Sequence, residues 1–207
     1  FFYPAIDLKT VQNQLKDADE IKPNRFTVIY AGSLGYSYDI PTILKAAEIL
    51  EKNFKNEIRF VIAGDGPQRK LIEDYQLLHS NLEYLGRIPK EQLIVQYKNA
   101  QLGLTQHIKG ATQSVTYKLF DLLSCGIPVL NSLESEMKDI IINNKVGKHN
   151  DPGDAERLSQ NIEFYFKNEE ELLKSRKKAI EFTKDTGDST KVYKDLLQFI
   201  SDKAVQR

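Results

Sequence analysis

Residues 113–130, QSVTYKLFDLLSCGIPVL, hold the side chains best spaced for chemistry. Gln113 and Asp121 stand eight residues apart. Eight residues make a little over two helical turns, so on one helix both project from nearly the same face, with Gln113 at the entrance. Lys118 falls one turn in and can reach back towards the mouth. Polar groups held at the mouth of a helix above a parallel sheet are how many nucleotide-sugar sites are built. The same spacing also suits an ordinary surface helix that buries Leu119, Phe120, Leu122 and Leu123. A Cys125-Gly126 stop and a short apolar strand opened by Pro128 close the stretch.

The elements around this helix follow a repeating pattern. Apolar, β-rich runs are expected as strands at residues 26–31, 58–63, 82–85 and 102–105, and again after Pro128, with a short edge strand at 146–149. Helical patterns fall between them at 42–54, 68–78, 90–99 and 134–143. Asp154 is placed to cap a further helix, and the charged helical tail breaks near Thr186-Gly187-Asp188. Near-continuous apolar strands alternating with helices specify an α/β, Rossmann-like parallel sheet covered on both faces, with right-handed crossovers. Residues 1–25 read as a linker with a short polar helix from Thr10 to about Glu20, 26–185 as the sheet domain and 186–207 as a C-terminal helix.

Ligands of such sheets bind beyond the carboxyl ends of the strands. The loops to examine are therefore 32–38, 64–67, 86–88 and 106–116. Gly32-Ser33-Leu34-Gly35 lets backbone approach a ligand closely, and amides at the following helix could hold a phosphate. It is neither GxGxxG nor a P-loop, which weighs against ordinary dinucleotide and ATPase readings, and a tight strand-to-helix turn explains it as well. Gly64-Asp65-Gly66-Pro67 reads as a structural turn with Pro near the helix start. His107 and Lys109 could contact a diphosphate or a transferred sugar, or simply belong to a solvated loop. His79 and His149 receive no role. No His, Cys, Asp and Glu set has metal-ligand spacing, and no Ser-His-Asp set is visible.

Composition sets bounds. A chain of 207 residues, 41% hydrophobic and 28% charged, can build one soluble globular domain. Lys plus Arg and Asp plus Glu both number 29, so formal net charge is zero and nucleic acid is not expected as a partner. Cys125 stands alone, which excludes an internal disulfide and reads as a buried structural thiol. No apolar run approaches the roughly 20 residues that span a bilayer, and no signal-peptide pattern appears. The start, FFYPAID, has no initiator Met and suggests a piece of a longer protein cut near a domain boundary.

In order, YAGSLG, RFVIAGDGP, NLEYLGRIPKEQL, SVTYKLFDLLSCGIPVL and VGKHNDPGDAERL resemble the carboxyl-terminal domain of family-4-type glycosyltransferases of the GT-B fold, over residues 26–165. The flavour is that of bacterial sugar transferases of surface-polysaccharide synthesis. Their helix motif runs Ser-Pro-x-Lys-Leu-Phe-x-Tyr where this chain has Ser114-Val115-Thr116-Tyr117-Lys118-Leu119-Phe120-Asp121. The resemblance implies the donor-binding half of an enzyme that transfers a sugar from a nucleotide diphosphate sugar with retention, without cofactor or metal. A sugar or lipid-linked acceptor would sit on an amino-terminal domain absent from this chain, so the isolated domain would be inactive.

The resemblance also implies site roles. Gly32, Ser33, Leu34 and Gly35 would face the diphosphate, with His107, Lys109, Gln113, Ser114 and Lys118 around the diphosphate and sugar. Gly86, Arg87 and Ile88 would meet the base through backbone groups. Asp121 falls at the second acid of the family's Glu-x7-Glu pair, on the ribose, where a carboxylate can accept from two adjacent hydroxyls. No residue is assigned as catalytic. The chain departs from the pattern at three positions: Gln113 replaces the first acid, and Ser33 and Tyr38 stand where many relatives carry Arg and Lys. Lys118, Lys109 or Arg87 would then have to supply the cation. Two other readings are a non-catalytic nucleotide-sugar-binding domain and one half of a nucleotide-sugar epimerase. The second would need carboxylates and histidines beyond those present. The expected location is cytoplasmic, with peripheral docking at the inner face of the membrane left open.

Overall fold

Strand alternation decides the layering. The computed structural model describes residues 5–19 and 25–205. The double Phe at the start and most of the stretch expected to end the linker lie outside them. In strand β1 (Phe26–Ala31), Val28 and Tyr30 join one apolar cluster while Ile29 and Ala31 join the other. Strand β2 (Ile58–Ala63) divides in the same way, with Phe60 and Ile62 on one side and Val61 and Ala63 on the other. Strands apolar on both faces need cover on both faces.

The chain supplies that cover by alternating strand and helix. Helix α1 is Leu8–Asp17, and β1 is followed by α2 (Ile40–Phe54). After β2 come α3 (Arg69–Leu78), β3 (Leu82–Gly86), α4 (Lys90–Asn99) and β4 (Leu102–Thr105). Helix α5 (Tyr117–Ser124), β5 (Val129–Asn131), α6 (Glu136–Asn143) and β6 (Gly147–His149) complete the sheet. Helices α7 (Ala155–Lys167), α8 (Glu169–Thr186) and α9 (Ser189–Val205) follow. The six strands are parallel in the order β3-β2-β1-β4-β5-β6. The α/β reading is therefore correct, as is β6 at an edge. Strand order reverses between β1 and β4, which opens a crevice above their carboxyl ends.

Helix α5 sits against that crevice. Leu119, Phe120, Leu122 and Leu123 are all buried, as its periodicity predicts. A Cβ at Gly103 on β4 would come within 2.6 Å of Leu122, so the helix lies tight on the strand. Two expectations about α5 need correction. It begins at Tyr117, because Thr116 is extended (φ −96°, ψ 146°), so Gln113 lies in the preceding loop and shares no helix face with Asp121. Lys118 is thus the second helical residue, not one turn in. Asp154 caps α7 by accepting from the Arg157 N–H at 2.8 Å. The helical tail also breaks at Asn168, where no Gly or Pro announces it.

Candidate functional site

The loops after β1 and β2 are locked together through glycine. Gly32 and Gly64 both adopt φ +146°, a conformation side chains disfavour. A Cβ on Gly64 would fall 1.8 Å from the Gly32 carbonyl oxygen. The Leu34 N–H donates to Asp65 O at 3.0 Å, and the Gln68 amide donates to Gly35 O at 2.7 Å and Tyr38 O at 2.9 Å. The Tyr30 hydroxyl pins the Ser33 carbonyl at 2.6 Å. The β1 loop is strapped in turn to the segment after β4: the Asp39 N–H donates to Gln106 O, the Ile108 N–H to Ser37 O, and Tyr38 faces His107. Asp39 caps α2 through Thr42 and also accepts from the Gly153 N–H at 3.0 Å, which ties the α7 entrance to the same loop.

These loops frame a cleft of about 480 Å³ lined by Ala31, Gly32, Ser33, Gly64, Asp65, Arg87, Ile88, Leu93, Tyr97, Lys118 and Asp121, among others. Its floor is strand ends, and its walls are α4 and α5. Gly32, Ser33, Arg87, Ile88, Lys118 and Asp121, singled out from sequence, are brought together here. Leu34 is fully buried in the core and presents no side chain, and Gly35 serves through its carbonyl. Gly86 takes φ +62° and its carbonyl accepts from the Gly64 N–H, so its role is to turn β3 into the cleft wall.

Lys118 is the cleft's unusual group. Its Nζ is buried and has no hydrogen-bond partner. It lies 4.0 Å from the centroid of the Tyr30 ring and 4.6 Å from that of Tyr38. A Cβ at Gly32 would meet it at 2.8 Å. Burial lowers the amine to about 7, against the pull of Asp121. Two tyrosine faces give a cation some favourable field but no ion-pair partner. Tyr38, where the resemblance would place a cation, thus forms part of the box around a cation delivered by α5. Asp121 opens onto the cleft, and partial burial of its carboxyl between the walls raises it, with Lys90 and then Lys118 acting in the opposite direction.

His107 is fully buried, not a solvated loop residue. Its ring stands 5.1 Å from Tyr38, and its Nε2 has no partner. Burial and then the Lys118 charge push it down to about 4. The Gln113 Oε1 is also buried and unpartnered, while Ser114 is exposed and its carbonyl accepts from the Ser135 hydroxyl.

Lys109 does not line this cleft. It lines a second hollow of about 560 Å³ with Ile108, Gly110, Ala111, Leu133, Glu134, Asp151 and Pro152. Beside it, Glu134, His149 and Asp151 place ligand-type atoms within 4.8 Å of one another, a grouping that their positions in sequence do not suggest. The Asn131 Oδ1 accepts from the Leu133 N–H and the Thr105 hydroxyl, so its amide nitrogen faces the His149 Nδ1. The ring proton then sits on Nε2 and is donated to Glu134 at 2.8 Å. His149 is thereby a donor to a carboxylate. His79 contacts Glu51 and stacks on Tyr75. Cys125 is half-buried and its thiol is pushed up to about 12 by burial, as suits a structural residue.

Leu93 and Tyr97 also line the cleft and were not singled out from sequence, while Asp65, read there as part of a structural turn, lines it as well. Tyr30 and Gln68 act behind the cleft, on the Lys118 amine and on the β1 loop. The small residues Ala31 and Ala63, each leading into a glycine, were the available signal for where strands open into a site.

A doubly covered parallel sheet with a cleft at its reversal point defines an α/β domain of the GT-B half type. The family model "Glycosyl transferases group 1" matches residues 11–186, and the chain belongs to that family. Among solved structures, it is similar to sucrose-phosphate synthase from Thermosynechococcus elongatus (TM-score 0.74, 19% identity, 100% of this chain and 50% of that one). It is likewise similar to Anabaena Alr3699/HepE in complex with UDP-glucose (0.75, 16%, 97% and 57%). A third is the C-terminal domain of the group 1 glycosyl transferase LpcC from Francisella tularensis (0.68, 12%, 89% and 94%). The chain spans about half the length of the first two and nearly all of the third. No curated protein matches the sequence.

Proposed function

We propose that this chain is the donor-binding half of a retaining glycosyltransferase that moves a sugar from a nucleotide diphosphate sugar to an acceptor in surface-polysaccharide or glycoconjugate synthesis. The observation that carries the reading is the buried, unpartnered Lys118 amine under the Gly32 backbone, on the line where a diphosphate would cross the strand ends. Such an amine needs an anion, and the cleft's carboxylates, Asp65 and Asp121, leave that place to the ligand. Gly32, Ser33 and Lys118 would hold the diphosphate, Asp121 the ribose, and Arg87 and Ile88 the base. Gln113 and His107, each with an unsatisfied buried polar atom, would face the sugar side. The acceptor would be presented by a second domain across the cleft, and no metal takes part. The UDP-glucose bound by the Anabaena neighbour and the isolated-domain match to LpcC both support this reading.

Amide shift mapping tests it. Titrating ¹⁵N-labelled protein with UDP-, GDP- and ADP-glucose should move Gly32, Ser33, Gly64, Arg87 and Asp121 most for at least one donor. Shifts confined to the Lys109–Asp151 hollow, or none with any donor, would contradict it.

A further inference from the structure

Lys118 also has a consequence for protons, one that rests on the donor reading above. The groups facing its Nζ can be named from every side. The Tyr30 ring comes from β1 and the Tyr38 ring from the loop before α2. The backbone of Gly32 lies against it. His107, past the end of β4, is close enough for the two charges to repel. Asp121 is on its own helix, and Asp65 and Arg87 line the cleft beyond. Nothing here pairs with the amine directly, and its nitrogen is out of water. Desolvation without a partner disfavours the charged form, and an anion brought alongside restores it.

We propose that the buried, unpartnered Lys118 amine between Tyr30 and Tyr38 readily gives up its proton in the unliganded cleft, and that the donor's diphosphate, brought alongside, holds that proton on it, so that donor binding takes up a proton. The two tyrosine faces make this workable, because they tolerate both the amine and the ammonium. His107, held low by burial, stays uncharged where Lys118 titrates and does not compete for the proton. The sign follows from linkage: a step that binds protons weakens as pH rises, here from about 7 upwards, by at most about tenfold per pH unit. A nucleoside without phosphate should show no such dependence.

Calorimetry on the 207-residue chain with UDP-, GDP- and ADP-glucose at pH 7.5, in HEPES and in Tris, reads the proton directly. A diphosphate esterified at both ends has no group titrating near neutral, so uptake reports on the protein. Wild type should show buffer-dependent heats corresponding to uptake approaching about one proton per donor. Lys118→Arg, charged throughout, should bind without uptake. Binding with equal heats in both buffers would overturn this proposal alone. Uptake that survives Lys118→Arg would move the proton to another group and also overturn it. Failure to bind any of the three would remove the donor reading and the proposal together. A second measurement needs no ligand: the Lys118 ε-carbon signal, identified by its loss in Lys118→Met, should titrate near neutrality, and a midpoint near that of free lysine would overturn the proposal.

Discussion

Replacing Lys118 by Met keeps the aliphatic stem and removes a buried amine without a partner. The unfolded chain holds that proton up to about 10.5 and the folded protein gives it up near 7, so between those values the unfolded state binds more protons and this lysine's contribution to stability rises with pH. Lys118→Met should therefore raise the melting temperature at pH 7 and below. Exchanging a buried charge for an apolar side chain ranges from neutral to about 1–4 kcal/mol stabilising. The gain over wild type should shrink as pH rises towards 9, which differential scanning fluorimetry across pH will show. Asp121→Ala acts on ligand, not fold, because the side chain is accessible in the cleft. Losing a charge-assisted hydrogen-bond pair costs about 1.5–3 kcal/mol. Titration calorimetry should therefore show nucleotide affinity falling about tenfold to a hundredfold with the melting point unchanged.

At the scale of elements, the glycine contact between the first two loops is the most exposed to substitution. Gly64→Ala would put a methyl 1.8 Å from the Gly32 carbonyl at φ +146°, so the loops must separate. We expect a loss of about 1–3 kcal/mol in urea unfolding, and loss of donor binding even where the fold survives. The five strands up to β5 and the edge strand β6 were legible because each is an apolar run or a short segment bounded by Gly, Pro or Asn. The entrance of α5 was not, since its helical spacing continues back to Gln113 and only the extended backbone at Thr116 stops it. Asn168 hid its break inside a charged run that scores as helix throughout. In the site, Gly32, Ser33, Lys118 and Asp121 were legible from loop position and motif. The Tyr30–Lys118–Tyr38 box was not, because Tyr30 reads as strand core and Lys118 comes from a helix far along the chain from both tyrosines.

At the scale of the molecule, the chain matches about half of each of two longer solved relatives and nearly all of an isolated C-terminal domain. No helix among the described residues is long and apolar enough to cross a membrane. Transfer requires donor and acceptor to be held in reacting geometry, so residues 1–207 alone should bind a donor without forming glycoside product in a radiolabelled transfer assay. The central claim is that the cleft over β1 is an anion site made by Lys118. The diphosphate of a nucleotide sugar carries about two charges, and backbone dipoles of about half a unit cannot balance them unaided. The most direct measurement compares the affinity of nucleoside and nucleoside diphosphate for wild type and Lys118→Ala at low and high salt. The account predicts a loss of tenfold or more for the diphosphate at both salt concentrations, because a pair formed with the buried Lys118 amine is screened little, with the nucleoside unchanged. Equal losses for both ligands, or none for either, would contradict it.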